Sequence, residues 1–195
     1  MPQKVNQHFI IYKPYGYLSQ FINNQTKRSN KKLLGDLFDV PADTMAIGRL
    51  DEKSEGLLLL TTDGKTSEFI RSSKVEKEYY AQVDGLITVD SIEKLKKGVE
   101  IGIEGITYLT KPCKAKILSK IPIFEERSKK VRDDRHGPTS WLSITLREGK
   151  FRQVRKMTAI VGLPTLRLIR VRIGSIKINT MKPAEIIKLK ENFEV

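Results

Sequence analysis

The chain has 195 residues, of which 39% are hydrophobic and 30% are charged, a composition typical of a folded protein rather than a disordered basic tail. Its 36 Lys and Arg against 23 Asp and Glu give a net charge of +13, which favours a polyanionic partner. Nucleic acid fits this charge first and an acidic membrane surface second. One cysteine, Cys113, and two histidines exclude an internal disulfide and a Cys/His zinc site.

The chain shows no targeting or membrane signal. Its first seven residues are polar and lack the apolar core of a signal peptide. The longest apolar run, Gly56–Leu60, is too short to span a bilayer. We therefore expect a cytoplasmic protein.

The first third of the chain predicts two strands with a loop and a helix between them. The run Phe9–Tyr12 is apolar and is followed by Lys13-Pro14-Tyr15-Gly16, which predicts a strand that ends in a turn. The polar stretch Asn23–Lys32 predicts a loop, and apolar residues over Leu33–Phe38 recur at helical spacing. The continuously apolar Gly56–Thr62 predicts a strand buried on both faces.

Two helices are predicted in the middle of the chain, over Lys65–Ser72 and Val89–Lys97. In the second helix Val89, Ile92 and Leu95 share one face, Asp90 is a candidate cap, and Gly98 is the expected stop, all by sequence position. Alternation predicts further strands, and the charged, Gly- and Pro-containing stretch from Ser119 to Thr139 predicts a long loop. These strands are Lys77–Val83, Lys114–Leu118, Trp141–Leu146 and Leu166–Ile173.

A last helix is predicted where Phe151, Val154, Met157 or Thr158, and Val161 recur at helical spacing before Gly162. Strands outnumber helices, and the helices are not regularly interposed between them. This order favours an α+β fold with a mixed or mainly antiparallel sheet over a doubly wound fold.

Three segments could carry chemistry, and the first is Gly48-Arg49-Leu50-Asp51. Taken alone, an Arg/Asp pair before a strand is more often a loop salt bridge or a cap. Its position at the mouth of a predicted core would, however, leave Asp51 partly desolvated and still open to a substrate.

The second segment is Lys77-Glu78-Tyr79, in which strand alternation places Lys77 and Tyr79 on the same side. Tyr79 is either a core aromatic with its hydroxyl at the rim or a ring that stacks on an unpaired base. The spacing does not separate these interpretations.

The third segment runs from Glu148 to Met157 and is predicted to be helical. Its apolar residues would face the core, while Arg152, Arg155 and Lys156 share the opposite face. Because Arg167, Arg170 and Arg172 follow in a strand pattern, we expect these cations to converge on one patch that binds a polyanion.

Together, the three segments resemble the signature of the pseudouridine synthases of the small-subunit rRNA type. The run Gly48–Gly64 matches the family's Gly-Arg-Leu-Asp followed by Glu-Gly-Leu-Leu-Leu-Leu-Thr. Lys77–Tyr79 matches its Lys-x-Tyr, and Glu148–Met157 matches its Glu-Gly-x-x-Arg-Gln-Val-Arg-x-Met. Phe151 stands where the family often has Asn, a change that the apolar phase of the predicted helix would accept.

The resemblance spans nearly the whole chain and implies the fold. That fold is α+β, with a mixed, largely antiparallel sheet, flanking helices and a central catalytic cleft. Residues 1–195 would form one catalytic domain whose two halves share the sheet. The S4-like RNA-binding module that precedes this domain in most members is expected to be missing. That absence, with Pro138–Leu142 and Gly162–Arg170, is similar to members that modify one uridine of large-subunit (23S) rRNA.

The resemblance also implies the reaction and the roles of its residues. The uracil is detached from ribose C1′, turned and rejoined through C5, without a metal or organic cofactor. Asp51 would be the catalytic carboxylate, as a nucleophile or as a base toward the sugar. Arg155 would pair with Asp51 and hold it ionised, so its removal would cost more activity than loss of a surface charge. Tyr79 would stack on the uracil and assist removal of the C5 proton.

The RNA-binding residues implied by the resemblance are cations. Arg49 would enter the RNA helix beside the extruded nucleotide, whose unstacking costs a few kcal/mol. The remaining contacts would come from Lys13, Arg152, Lys156, Arg167 and Arg170. The partner is ribosomal RNA, and we expect a monomer with no obligate protein partner.

Two other functions would suit parts of the sequence. A non-catalytic RNA-binding protein would fit the charge of +13 equally well, but binding alone does not need a carboxylate among cations. A metal-dependent nucleic-acid hydrolase using Asp51 is disfavoured because no second carboxylate cluster near that motif has metal-ligand spacing.

Overall fold

The structure is a computed structural model that describes residues 5–22, 30–132 and 134–194. Residues 23–29 of the predicted loop lie outside this part of the chain. The chain divides into two compact units: Met1–Val75 with Arg170–Val195 form the first, and Glu76–Ile169 form the second.

The described residues form thirteen strands and three α-helices. The strands are β1 (His8–Lys13), β2 (Tyr17–Leu18), β3 (Lys32–Leu33), β4 (Met45–Ala46), β5 (Glu55–Thr61), β6 (Lys77–Asp84), β7 (Glu100–Ile103), β8 (Ile106–Leu109), β9 (Lys114–Ile117), β10 (Thr139–Leu146), β11 (Thr165–Ile173), β12 (Ile176–Lys177) and β13 (Ile186–Lys188). The helices are α1 (Gly64–Arg71), α2 (Val89–Lys97) and α3 (Gln153–Ile160), with short 3-10 turns at Leu34–Asp36 and Asp134–His136.

In the first unit, strand β1 lies between β13 and β5 and is antiparallel to both. The predicted burial of β5 is confirmed, because every residue of this strand is buried. Alternate leucines of β5, Leu57 and Leu59, pack in a core cluster with Ile70 of α1 and Ile173 of β11. The pairing of β1 with β5 places Lys13 opposite Gly56, close to the turn that precedes β5.

In the second unit, strand β10 lies between β6 and β9 and is antiparallel to both. Helices α2 and α3 supply Leu95 and Met157 to its core, which also contains Leu142 and Ile144 of β10. Strands β7 and β8 form a separate hairpin. With strands in the majority and antiparallel pairing prevalent, the α+β class is confirmed.

The predicted helix over Leu33–Phe38 is wrong. The segment is instead the short strand β3 followed by a single 3-10 turn. Gly35 lies so close to the carbonyl oxygen of Phe21 that a Cβ at this position would be only 2.9 Å from it. The backbone therefore packs against another segment here, and the chain does not continue as a helix.

Helix α2 has its predicted bounds but a different cap. Its N-cap is Thr88, not Asp90, because Thr88 Oγ1 accepts from the Ser91 amide at 3.1 Å and Ser91 Oγ accepts from the Thr88 amide at 3.2 Å. Val89 is 73% exposed, so only Ile92 and Leu95 form the predicted buried face. Gly98 ends the helix at φ 96°, a conformation that favours glycine.

Helix α3 starts later than predicted, and its first apolar residue is misplaced. The helix begins at Gln153, after Arg152 adopts a left-handed conformation at φ 52°. Phe151 therefore precedes the helix, and its side chain is 64% exposed instead of facing the core. The expectation that the apolar phase of a helix accommodates Phe151 is wrong.

The hairpin of β7 and β8 was not predicted. Its loop is Glu104-Gly105, with φ values of 49° and 82°, as in the two-residue turns that suit the twist of paired strands. An acidic residue followed by glycine between Ile103 and Ile106 is the signal that could have identified it. No helix in the described part of the chain has the length and apolar character needed to cross a membrane.

Candidate functional site

Lys13 lies at the end of β1 and is completely buried. Its Nζ donates hydrogen bonds to the carbonyl oxygens of Pro14 at 3.0 Å and Tyr17 at 2.7 Å. Burial lowers the pKa of Lys13 to about 7, although the nearby carboxylates of Glu55 and Asp51 oppose this shift. The structure thus places this amine inside the first unit, in electrostatic contact with Asp51, and not on its surface.

The turn that carries Arg49 and Asp51 is held at Leu50. The hydroxyl of the buried Ser19 accepts from the Leu50 amide and donates to the Leu50 carbonyl, both at 2.9 Å. Arg49 is exposed on one side of this anchor, and Asp51 is half-buried on the other. The sequence contains no signal for the role of Ser19, because 31 residues separate it from its partner.

The residues that follow Asp51 are held by the same unit. The Ser54 amide donates to the Asp51 carbonyl at 3.0 Å, and the Gly16 amide donates to the Glu52 carbonyl at 2.8 Å. The carboxylate of Glu52 accepts from Lys31 Nζ at 2.7 Å. These bonds join the turn to the segment after β1 and reduce its freedom to move.

Arg170 is the second buried cation of the first unit. Its Nε donates to the Leu57 carbonyl at 2.7 Å, and its positive charge contributes to lowering the pKa of Lys13. Its Nη2 is buried without a hydrogen-bond partner among the described residues. Within this unit the fold therefore brings together Lys13, Asp51 and Arg170, while Arg49 points to solvent.

Tyr79 belongs to the second unit, on β6 opposite Ile144 of β10. Its half-buried ring packs against the core cluster of that unit. The preceding residue of the strand, Glu78, accepts a hydrogen bond from the hydroxyl of Ser143 at 2.7 Å. Tyr79 therefore combines a core contact with a partly exposed ring.

Arg155 lies in the first turn of α3 and is half-buried. Its Nη1 donates to the Thr165 carbonyl at 3.3 Å. Arg152 is exposed at the start of the helix, and Lys156 donates to the Gly102 carbonyl at 2.6 Å. Of the three predicted cations, Arg155 and Lys156 thus lie in the first turn of the helix, and Arg152 precedes it.

The arginines of β11 are less accessible than the strand pattern suggested. Arg167 is buried, donates to the Glu125 carbonyl at 2.8 Å and lies 5.8 Å from the Phe124 ring centroid. Arg170 is also buried, against the backbone of Leu57. We infer that Arg167 positions the backbone of Glu125 and the ring of Phe124 in the second unit. Arg170 positions the backbone of Leu57 in the first unit.

A carboxylate network fixes the segment before α3. Glu148 accepts from the Tyr108 hydroxyl and from Gln153 Nε2, both at 2.6 Å, and from the Lys111 amide at 2.9 Å. Burial alone would raise the pKa of Glu148, but these hydrogen bonds together lower it. Glu148 and Gln153 lie in the third sequence motif, yet their positioning role was not predicted.

The described residues contain no group of three or more His, Cys, Asp or Glu side chains arranged to hold a metal ion. Within the first unit, the amine of Lys13 interacts electrostatically with Asp51 and with the guanidinium group of Arg170. Asp51 itself is half-buried and so stays partly open to a substrate.

Comparison with known proteins points to one family. A family model described as RNA pseudouridylate synthase matches residues 7–159. A Vibrio parahaemolyticus protein named "Ribosomal large subunit pseudouridine synthase E" is 43% identical over 92% of this chain and 73% of its own length. A protein of the same name from Xanthomonas axonopodis pv. citri is 39% identical over 89% of both chains. A solved structure titled "Crystal structure of pseudouridylate synthase" matches with a TM-score of 0.75 and 26% identity, over 97% of this chain and 73% of that one.

Proposed function

Because this chain belongs to the RNA pseudouridylate synthase family, we propose that it converts one uridine of large-subunit (23S) ribosomal RNA to pseudouridine, with Asp51 as its catalytic carboxylate. Two relatives named as large-subunit enzymes, at 43% and 39% identity, support this choice of RNA. We further propose that it acts as a monomer without an obligate protein partner.

The reaction is an isomerisation and needs no second substrate. The bond between N1 of uracil and C1′ of ribose breaks, the base turns, and a bond forms between C5 and C1′. The proton that leaves C5 is balanced by the one that N1 gains, so product and substrate have the same atoms. A carboxylate can serve as the nucleophile at C1′ or as a base toward the sugar, and either role requires its ionised form.

The observation that carries this proposal is the environment of Asp51 within the first unit. Asp51 is half-buried on a turn that Ser19 anchors at Leu50, and it interacts electrostatically with the buried amine of Lys13. A fixed carboxylate among cations costs little reorganisation when charge develops on a sugar. A binding protein would gain nothing from this carboxylate, because it repels phosphate.

Tyr79 and Arg155 complete the proposed chemistry on the basis of the family motifs they match. We propose that Tyr79 stacks on the uracil and assists loss of the C5 proton. Arg155 is proposed to keep Asp51 ionised during the reaction, since an opposite charge favours the carboxylate. The exposed Arg49, on the same turn as Asp51, is proposed to contact the RNA beside the flipped nucleotide.

The variant Asp51→Asn tests the catalytic role. The amide keeps the size of the side chain but cannot act as nucleophile or base, so we expect RNA binding to persist and isomerisation to fall by at least about a thousandfold, within the range of catalytic carboxylate losses. Release of tritium from 5-tritiated uridine in an rRNA transcript measures the reaction, and filter binding measures affinity.

The control is Asp39→Asn, which changes an exposed carboxylate of the same unit and should leave turnover unchanged. Turnover by Asp51→Asn at the wild-type rate would remove Asp51 from the mechanism.

The RNA target is tested by mapping pseudouridine in total RNA from cells with and without the gene. An unchanged 23S map would refute the proposed substrate.

A further inference from the structure

The turn before α3 presents a large apolar side chain to solvent. Phe151 is 64% exposed, and Arg152, the next residue, is also exposed. Both lie between Lys150 and Gln153, at the tip of the turn. An exposed phenylalanine forgoes the stabilisation that burial of its ring would contribute, so this position is not explained by the stability of the fold.

Hydrogen bonds of Gln153 hold this turn in place. The Gln153 amide donates to the Lys150 carbonyl at 3.1 Å, and the Lys150 amide donates to Gln153 Oε1 at 3.0 Å. The side chain of Gln153 is itself buried and donates to Glu148. These reciprocal bonds fix the backbone on both sides of Phe151 and so define where its ring projects.

One cation lies beside the ring of Phe151, and two more are adjacent to Phe151 in the chain. Lys156 Nζ lies 5.1 Å from the ring centroid and donates to the Gly102 carbonyl at 2.6 Å, which keeps it beside the ring. Arg152 has a left-handed backbone, φ 52°, that ends the turn and starts the helix. Lys150 lies 4.8 Å from the ring centroid of Tyr108. The exposed ring of Phe151 thus has the amine of Lys156 beside it and the cations Lys150 and Arg152 as its neighbours in the chain.

We propose that Phe151 is a stacking site for an unpaired nucleobase of RNA, with Arg152 and Lys156 binding the adjoining phosphates. Stacking on an aromatic face does not depend on the identity of the base, and cations beside the ring suit the phosphates on either side of it. The site would hold a nucleotide outside the target uridine. The inference rests on the proposed function, since it takes RNA as the substrate.

The charges favour RNA over an apolar protein partner. A protein-docking surface is usually depleted in lysine at its centre, whereas Lys156 lies 5.1 Å from the Phe151 ring centroid and Lys150 precedes Phe151 in the chain. The chain's net charge of +13 adds a general attraction for a polyanion.

The variant Phe151→Ala separates stacking from charge. We expect its affinity for a short oligouridylate to fall about fivefold to a hundredfold, the usual loss for one stacked base, while its affinity for inorganic polyphosphate is unchanged. Polyphosphate carries the negative charges but has no base to stack. Phe69→Ala, which removes an exposed phenylalanine from α1 of the first unit, is the matched control and should bind both probes as the wild type does.

The variant Phe151→Trp gives a direct signal, because it restores an aromatic face and adds an exposed fluorophore. The native Trp141 is buried, so the new signal is distinct. We expect oligouridylate to quench the added fluorescence and polyphosphate not to quench it. Retained oligouridylate affinity in Phe151→Ala, an equal loss of affinity for both probes, or no quenching in Phe151→Trp would each overturn the proposal.

These binding measurements do not depend on turnover. If the wild-type protein forms no pseudouridine, the proposed function is refuted. A loss of oligouridylate affinity in Phe151→Ala would still support the stacking site in that case. Normal pseudouridine formation with unchanged oligouridylate binding by Phe151→Ala would refute this site alone.

Discussion

Lys13 shows at the scale of one residue how burial changes the chemistry that a sequence suggests. The resemblance to the family implies that Lys13 contacts RNA. The structure instead buries it completely and satisfies its Nζ with the carbonyl oxygens of Pro14 and Tyr17. We propose that its role is to set the electrostatic environment of Asp51 from within the first unit.

The lowered pKa of Lys13 makes stability depend on pH. The folded chain releases this proton near pH 7, whereas the unfolded chain holds it until about pH 10.5. The unfolded state therefore binds more protons between these values, and the free energy of unfolding should rise with pH across this window. In Lys13→Met that rise should be much smaller, as measured by urea unfolding between pH 7 and pH 10.

Lys65→Met serves as the comparison for Lys13, because Lys65 is exposed in α1. It should retain the wild-type dependence of stability on pH. Equal slopes for wild type and Lys13→Met would show that Lys13 remains charged in the folded state.

At the scale of elements, Glu148 links the hairpin of β7 and β8 to the start of α3. Tyr108 of β8 and Gln153 of α3 both donate to this one carboxylate. The turn that carries Phe151 and Arg152 lies between Glu148 and Gln153 in the chain. Its orientation therefore depends on a contact that spans forty residues of sequence.

Replacing this carboxylate should destabilise the second unit in a pH-dependent way. Because hydrogen bonding lowers the pKa of Glu148, its contribution is present above the ordinary glutamate pKa of 4.5 and is lost as pH falls through the lower folded value. We expect Glu148→Gln to cost about 1 kcal/mol at pH 7, at the low end for a charged hydrogen-bond acceptor because the group is partly solvated. The difference from wild type should shrink toward pH 3 in urea unfolding.

The matched variant for this element is Glu100→Gln, which alters an exposed carboxylate on β7. Its free energy of unfolding should equal that of the wild type at pH 7 and at pH 3. If Glu148→Gln lowered the free energy of unfolding by the same amount at every pH, the shape of Glu148 and not its charge would account for its contribution to stability.

Elements with strong local patterns were predicted well, and elements that depend on distant partners were not. The apolar run of β5 and the bounds of α2 follow from periodicity and from Gly98. Strand β13 was missed because its exposed Ile186-Ile187-Lys188 pairs with β1, which is remote in the chain. The 3-10 turn near Gly35 was mistaken for a helix because its packing against Phe21 leaves no local mark.

For the whole molecule, we expect the net charge of +13 to dominate the proposed interaction with RNA. Each phosphate neutralised on a single strand releases bound counterions and contributes about 0.7 to the slope of log affinity against log salt. We expect RNA affinity to fall steeply between low and physiological salt in filter-binding titrations. Asp51→Asn should keep this slope, since the carboxylate does not bind phosphate. A salt-independent affinity would exclude electrostatic binding as the main attraction.

The sequence alone determined the family, the α+β class and the residues proposed for chemistry, because these depend on short motifs and on residue type. Asp51 and Arg155 each lie in a contiguous motif. Only the tertiary structure decided exposure: it buried Lys13 and Arg170, exposed Phe151, and anchored Leu50 through Ser19. Burial depends on partners that are distant in the chain, and local periodicity carries no information about them.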